Sequence, residues 1–329
     1  METFVNQYAL PLALWHRIFA SVLLVALSAG FATSASARTY AVVVAGLGGA
    51  PEYQESFADT TDSVHNGLLS LGNDPSLVIR LDESATREDI LAAIEQQSQR
   101  IASDIEQNEV QPVFALMMVG HGNADNSGWR FNIAGPDITS DDLIAALNQV
   151  QASKQLVVLA SSASGAVLES MSQLGRVLVT ATKSGGEINA VRFHEYLGEA
   201  LADDVADFDR NEILTIAEAY RFAESRTREY YEQQSLLASE HSRISGEEAD
   251  DIALALLGSL RDARDNPAVA TLLDERLVLE QTFHSLKSRK ADMEVEEYYN
   301  ELETLLLSIA RLQQTIDETS GWSDRDSES

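Results

Sequence analysis

Among its 329 residues the chain has no cysteine. That excludes a thiolate nucleophile. It also fits an oxidising compartment, where a stray thiol is a liability. Cations are scarce as well, with 23 Lys and Arg against 52 Asp and Glu and a net charge of −29. Such a surface repels nucleic acid and anionic lipid, so neither is expected as a partner. The excess acid reads as solvated helix faces; a surface for divalent cations or a basic partner is the alternative. Only one apolar stretch invites a targeting reading, residues 18–29, preceded by His16 and Arg17 and followed by Ala35-Ser36-Ala37 before Arg38. This is the layout of a secretory signal peptide with an Ala-x-Ala cleavage site, residues 1–37. The stretch is short for a membrane span. The expectation is an exported chain starting near Arg38, in the periplasm or outside the cell, with no membrane-spanning segment after cleavage.

Several catalytic signatures are missing too. A Gly-x-Ser-x-Gly elbow is absent, because Ala160 and Ser164 take the glycine positions around Ser162. Gly46-x-Gly48 is followed by Pro51 where a dinucleotide fingerprint needs its third glycine. There is no Walker motif and no His/Cys metal spacing.

What is present is a globular composition, 45% apolar, with room for one sizeable domain plus an appendage, or for two domains. Strand and helix signals alternate from Tyr40 onward. Strands are expected at 40–45, 77–81, 113–119, 156–159 and 176–181, with a small hairpin arm at 129–133. Helices are expected at 60–71, from Thr86 to about 105, from Thr139, at 166–174 and at 191–202. This alternation predicts an α/β fold, a mostly parallel sheet sandwiched by helices. From Gly246 onward no strand is expected. Residues 249–263 read as a helix and Asn266-Pro267 as a break. Two long helices over 268–288 and 293–318 then form a C-terminal α-helical hairpin. The domain plan is a body at 38–235, a connecting helical segment at 236–265, the hairpin at 266–318 and a disordered tail at 319–329. The hairpin is either a scaffold that packs on itself or the body, or a homodimerisation or partner-docking arm.

Two strand-end motifs carry chemistry. Val119-Gly120-His121-Gly122 ends the third strand, with glycines on both sides leaving the imidazole open. Ala160-Ser161-Ser162-Ala163-Ser164-Gly165 ends the next strand. In parallel sheets ligands bind beyond such carboxyl ends. Order and placement together resemble the caspase- and legumain-like (clan CD) cysteine peptidases, in their bacterial legumain-like branch. There a His-Gly ends one strand and Ala-Cys-x-Ser-Gly the next. The resemblance covers about 40–223 and implies a caspase-like fold. It makes His121 the proton carrier and puts Ser162 at the nucleophile position. Thr182-Lys183-Ser184-Gly185 stands at a pocket segment, and Phe193 in the helix that follows. Gly48, Gly122, Ser164, Gly165 and Ser184 are the expected pocket residues.

Serine at that position changes the chemistry. A thiol titrates near ~8.5 and is readily ionised beside an imidazole. A hydroxyl must lose its proton during attack, and needs a tightly bonded base that is itself oriented by a carboxylate. The fold resembled holds only a loose His/Cys dyad. The first expectation is therefore a pseudo-peptidase that binds a peptide or protein. Alternatives are a hydrolase using Ser162 and His121, with Asp125 orienting the imidazole, and a structural envelope protein acting through its hairpin.

One metal-like pattern remains. Asp207, Asp209, Asn211, Ile213 and Glu218 fall at positions 1, 3, 5, 7 and 12 of a calcium loop, although Glu212 replaces the turn-forming glycine. The segment resembles an Asp-rich loop of bacterial legumain-like sequences. Calcium is one reading; an N-capped helix with acids at its positive end is the other. No cofactor is otherwise expected. Glu240-His241 is read as a surface or packing pair.

Overall fold

The computed structural model describes residues 37–107, 111–202 and 204–320. The signal-peptide reading and most of the tail reading lie outside them. The first strand, β1 (Ala37–Ala45), is a β-branched run buried on both faces, as a central parallel strand requires. It is followed by helix α1 (Pro51–Ser70) and β2 (Val78–Leu81). Next come α2 (Arg87–Gln107) and β3 (Gln111–Gly120). A small antiparallel sheet then forms from β4 (Gly122–Asp125), β5 (Gly128–Phe131) and β6 (Ile138–Thr139). Helix α3 (Ser140–Leu147) starts on a capping box between Thr139 and Asp142. It leads to β7 (Lys154–Ser161), a one-turn helix α4 (Leu168–Met171) and β8 (Arg176–Thr180).

The main sheet continues as β2–β1–β3–β7–β8, all parallel, and ends on an antiparallel edge strand, β10 (Arg243–Ser245). Between β8 and β10 the chain makes α5 (Phe193–Ala202), β9 (Ile213–Thr215) and α6 (Ile216–Gln233). Side chains of the central strands alternate between two cores. Val43, Met117 and Val158 face α1, α5 and α6; Val42, Leu116 and Val157 face α2 and α3. Right-handed crossovers explain the two layers. The step from β1 to β2 runs one way and carries α1 over one face. The steps through β3, β7 and β8 run the other way and carry α2, α3 and α4 over the opposite face. The direction reverses between β1 and β3, the topological switch point beside which parallel sheets of this kind bind ligands.

The expected sheet, helical layers and C-terminal hairpin are all present. Some elements differ. The helix expected at 60–71 starts at Pro51, where proline suits the first helical turn. The expected helix at 249–263 is instead a 3₁₀ turn, the strand β11 (Ala253–Leu256) and a short helix α7 (Gly258–Ala263). Ala-Leu-Ala-Leu favours a helix by propensity, but antiparallel pairing with β9 buries Leu254 and Leu256 and overrides it. Helices α8 (Pro267–Ser288) and α9 (Val295–Ser320) form the hairpin. Its base joins the main core through Val269, Leu273 and Ile316, while its tip has a separate small core around Leu286, Tyr298 and Leu305.

Trp129 and Phe131 of the small sheet are fully buried beside the carboxyl ends of the main strands. Phe131→Ala should destabilise the fold by about 3–5 kcal/mol in urea denaturation, the cost of an emptied aromatic site.

Candidate active site

Strands β3 and β7 pair in parallel with Gly120 opposite Ser161. The next residues of the two strands are His121 and Ser162, so both stand on one rim. The turn at His121 is also tied to the loop after β1. Gly46 N–H donates to Val119 O (2.8 Å), Leu47 N–H to Asn132 O (3.0 Å) and Asn132 N–H to His121 O (3.0 Å). The loop after β1 is thereby tied to the turn that carries the imidazole.

His121 Nε2 lies 3.2 Å from the carbonyl oxygen of Gly48. A carbonyl only accepts, so Nε2 carries the proton and the Nδ1 lone pair is left free. Tyr53 and Phe57 of α1 meet the ring edge-on at 4.8 and 5.1 Å. Burial pushes the imidazole below its ordinary pKa, partly opposed by the Gly48 bond. Asp125 does not orient it. That carboxylate pairs with Arg130 and accepts from Ser127 N–H (2.7 Å). The expectation of an Asp125–His121 pair is thus corrected: β4 and β5 form a hairpin that places Arg130 within reach of Asp125.

Ser162 is 2% exposed. Its carbonyl accepts from Trp129 Nε1–H (3.2 Å). Its hydroxyl forms no hydrogen bond among the described residues, with His121 or with any other group. Gly122 passes directly over the Ser162 carbonyl; a Cβ there would stand 2.7 Å from that oxygen. Ala163 follows with left-handed backbone (φ 56°), and its N–H donates to Glu187 O (2.8 Å). Ser164 and Gly165 are buried and lock this turn to the loop after β8. Gly165 N–H donates to Thr182 Oγ1 (2.8 Å), and Thr182 N–H to Ser164 Oγ (3.3 Å). At Gly165 a Cβ would stand 2.2 Å from Ser184 N, so only glycine fits beneath that loop. Ser184 itself is exposed, and its hydroxyl accepts from Gly186 N–H (3.3 Å).

Three neighbours had no local sequence signal. His194 follows Phe193 at the start of α5 and is almost fully buried. Its Nε2 meets Ser56 Oγ at 3.0 Å, its ring meets Phe57 edge-on at 5.1 Å, and burial lowers its pKa to about 3. Glu240 is buried and accepts from the N–H groups of Arg192 and Phe193, satisfying donors at the start of α5. His241 turns instead to Glu187. The pair read as surface or packing residues therefore serves two different segments.

On the far side of α5, Asp207, Asp209 and Glu218 each offer an oxygen within 4.8 Å of the others. Glu212 adopts the left-handed backbone (φ 60°) that glycine would supply in a calcium loop. Asn211 Oδ1 accepts from Ile213 N–H (2.8 Å), and Asp207 accepts from the N–H groups of Asn211 (3.2 Å) and Glu212 (2.8 Å). Glu218 also closes a capping box with Thr215 at the start of α6, so the helix-cap reading is present as well. Burial, then repulsion from Glu218 and Asp207, raises the Asp209 carboxyl to about 6. The all-oxygen donor set suits a hard cation of the calcium type.

In overall structure the chain is similar to caspase-1 from Spodoptera frugiperda, with 12% sequence identity and a TM-score of 0.43 over 67% of this chain and 90% of that one. It is also similar to the Drosophila initiator caspase Dronc, with 10% identity and a TM-score of 0.40 over 64% of this chain and 79% of that one. No protein-family model matches the sequence, and no curated protein matches it. The two similarities concern fold, so the chemistry rests on this chain's own residues.

In an NMR titration His121 should titrate below its ordinary value of ~6.5. Asp125→Asn should leave that midpoint in place, because the carboxylate does not touch the ring. A clear downward shift in the variant would show a contact that stabilises the imidazolium.

Proposed function

We propose that this chain is an exported caspase/legumain-like pseudo-peptidase, whose pocket binds a peptide or protein without cutting it. The observation that supports this most is the partner of His121. The imidazole is set by a main-chain carbonyl, and among the described residues it has no carboxylate partner and no hydrogen bond to the Ser162 hydroxyl. A thiol tolerates so loose a base because its thiolate is accessible near neutral pH. A serine hydroxyl does not, since its proton must leave during attack and the imidazolium formed has no counter-charge. Export is inferred from the leader pattern of residues 1–37. Among the described residues no helix is long and apolar enough to cross a membrane.

The second reading, a hydrolase acting through Ser162 and His121, draws on their shared rim and on a neutral imidazole with Nδ1 free. A serine-directed fluorophosphonate separates the two readings. The expected outcome is no covalent labelling of the purified protein; labelling abolished by Ser162→Ala would establish the hydrolase. Ser162→Cys should gain cleavage of a peptide library that the parent lacks. A silent variant would argue that the retained frame cannot place a scissile bond.

The acidic loop supports a weak calcium site as part of the same proposal, through its three converging carboxylates and the left-handed Glu212. The raised Asp209 pKa sets the sign of its pH dependence. A carboxyl that holds its proton more tightly when folded than when unfolded (~3.9) opposes folding above about pH 6, and the penalty is relieved as pH falls toward 4. Without calcium, Asp209→Asn should raise the melting temperature at pH 7.5 and have no effect near pH 4. Calcium should raise the melting temperature of the parent and not that of the variant. Equal calcium responses would remove the loop as a site.

A further inference from the structure

Glu187 joins the Ser162 turn to a segment far along the chain. Its carbonyl accepts from Ala163 N–H (2.8 Å), at the residue of the turn with left-handed backbone. A residue bearing a Cβ is unfavourable there and needs outside support. The Glu187 side chain is only 11% exposed. Its carboxylate accepts from Lys183 N–H (2.9 Å), His241 N–H (3.1 Å) and His241 Nδ1–H (2.5 Å). Lys183 Nζ stands 3.4 Å away. Burial alone would raise this carboxyl; the hydrogen bonds from Lys183 and His241 outweigh it and hold the group below the usual carboxylate range. Two charged or titratable side chains face it, Lys183 from its own loop and His241 from the segment before β10. Glu240, beside His241, is turned away toward Arg192 and Phe193.

We propose that Glu187 is a positioning residue of this site: its carbonyl holds the Ser162 turn in the left-handed form, and its carboxylate, clasped by His241 and Lys183, pins the 182–187 loop over that turn. The inference rests on reading Ser162 as the nucleophile position, and not on whether the site cuts. Gln at 187 keeps the shape and the main-chain carbonyl but removes the charge that gathers His241 and Lys183. The loop then opens more often, and the side chain at 162 meets solvent more often.

The absence of cysteine makes the test clean, because Ser162→Cys introduces a single thiol. Its rate of reaction with a dipyridyl disulfide, which releases one thiopyridone per thiol, reports access to the turn. Ser162→Cys/Glu187→Gln should react about tenfold faster than Ser162→Cys near pH 7.5 with a similar melting temperature, the scale of a lost charge-assisted hydrogen bond. Each rate is divided by the thiolate fraction from that variant's own thiol titration, so the ratio reports access alone. That ratio should fall toward one in acid, below the usual carboxylate range, where Glu187 in the single variant takes up its own proton. A merely structural role would not give this convergence. Rates within about twofold across the whole pH range, at matched stability, would overturn the proposal. So would a Ser162→Cys thiol that already reacts like a free cysteine. Where the Gln variant fails to fold, His241→Ala in the Ser162→Cys background decides, with a smaller acceleration expected and an unchanged rate counting against it. Failure to find a peptide ligand would leave these rates as they are and bear only on the binding function.

Discussion

The parallel pairing of β3 with β7 is the constraint on which the candidate site depends. With Gly120 opposite Ser161, the next residue of each strand is carried to the same rim. A slip of one residue would turn one of the two side chains toward the opposite face. The register is held by burial on both sides of the sheet. Met117, Val119, Val158 and Ala160 fill one core while Leu116, Met118, Val157 and Leu159 fill the other. Imidazole and hydroxyl are therefore neighbours because two apolar layers are sealed beneath them.

Around that pair, the site is assembled largely from main-chain groups. The Gly48 carbonyl sets the tautomer of His121, Trp129 donates to the Ser162 carbonyl, and the Glu187 carbonyl receives Ala163 N–H. Main-chain partners fix geometry well, but they supply no counter-charge for an imidazolium. A hydroxyl nucleophile depends on such a counter-charge more than a thiolate does. Two carboxylates of the flanking loops are committed elsewhere, Asp125 to Arg130 and Glu187 to His241 and Lys183.

Much of the sheet was legible in advance because buried parallel strands are continuous apolar runs. Residues 40–45, 113–119 and 156–159 announce themselves that way. The helix start at Thr139 follows from a side chain that caps its own first turn. Where propensity and pairing disagree, the local signal misleads. Ala253–Leu256 looks helical and is a strand, because β9 offers a partner for its main chain and a core for its leucines. The short edge strand β10, only partly buried, carries no comparable apolar run.

The sequence by itself determined the strand and helix periods, the absence of any thiol, and the placing of His121 and Ser162 at strand ends. These depend on residue chemistry and short spacings. Only the tertiary structure decided that Gly48, 73 residues away, would hold the imidazole, and that Asp125, four residues away, would not. It also decided that Glu187 and His241, 54 residues apart, would clasp each other beside the Ser162 turn. Such pairings follow from strand order and loop course, which are set by how two cores close over the whole sheet rather than by any local stretch of chain.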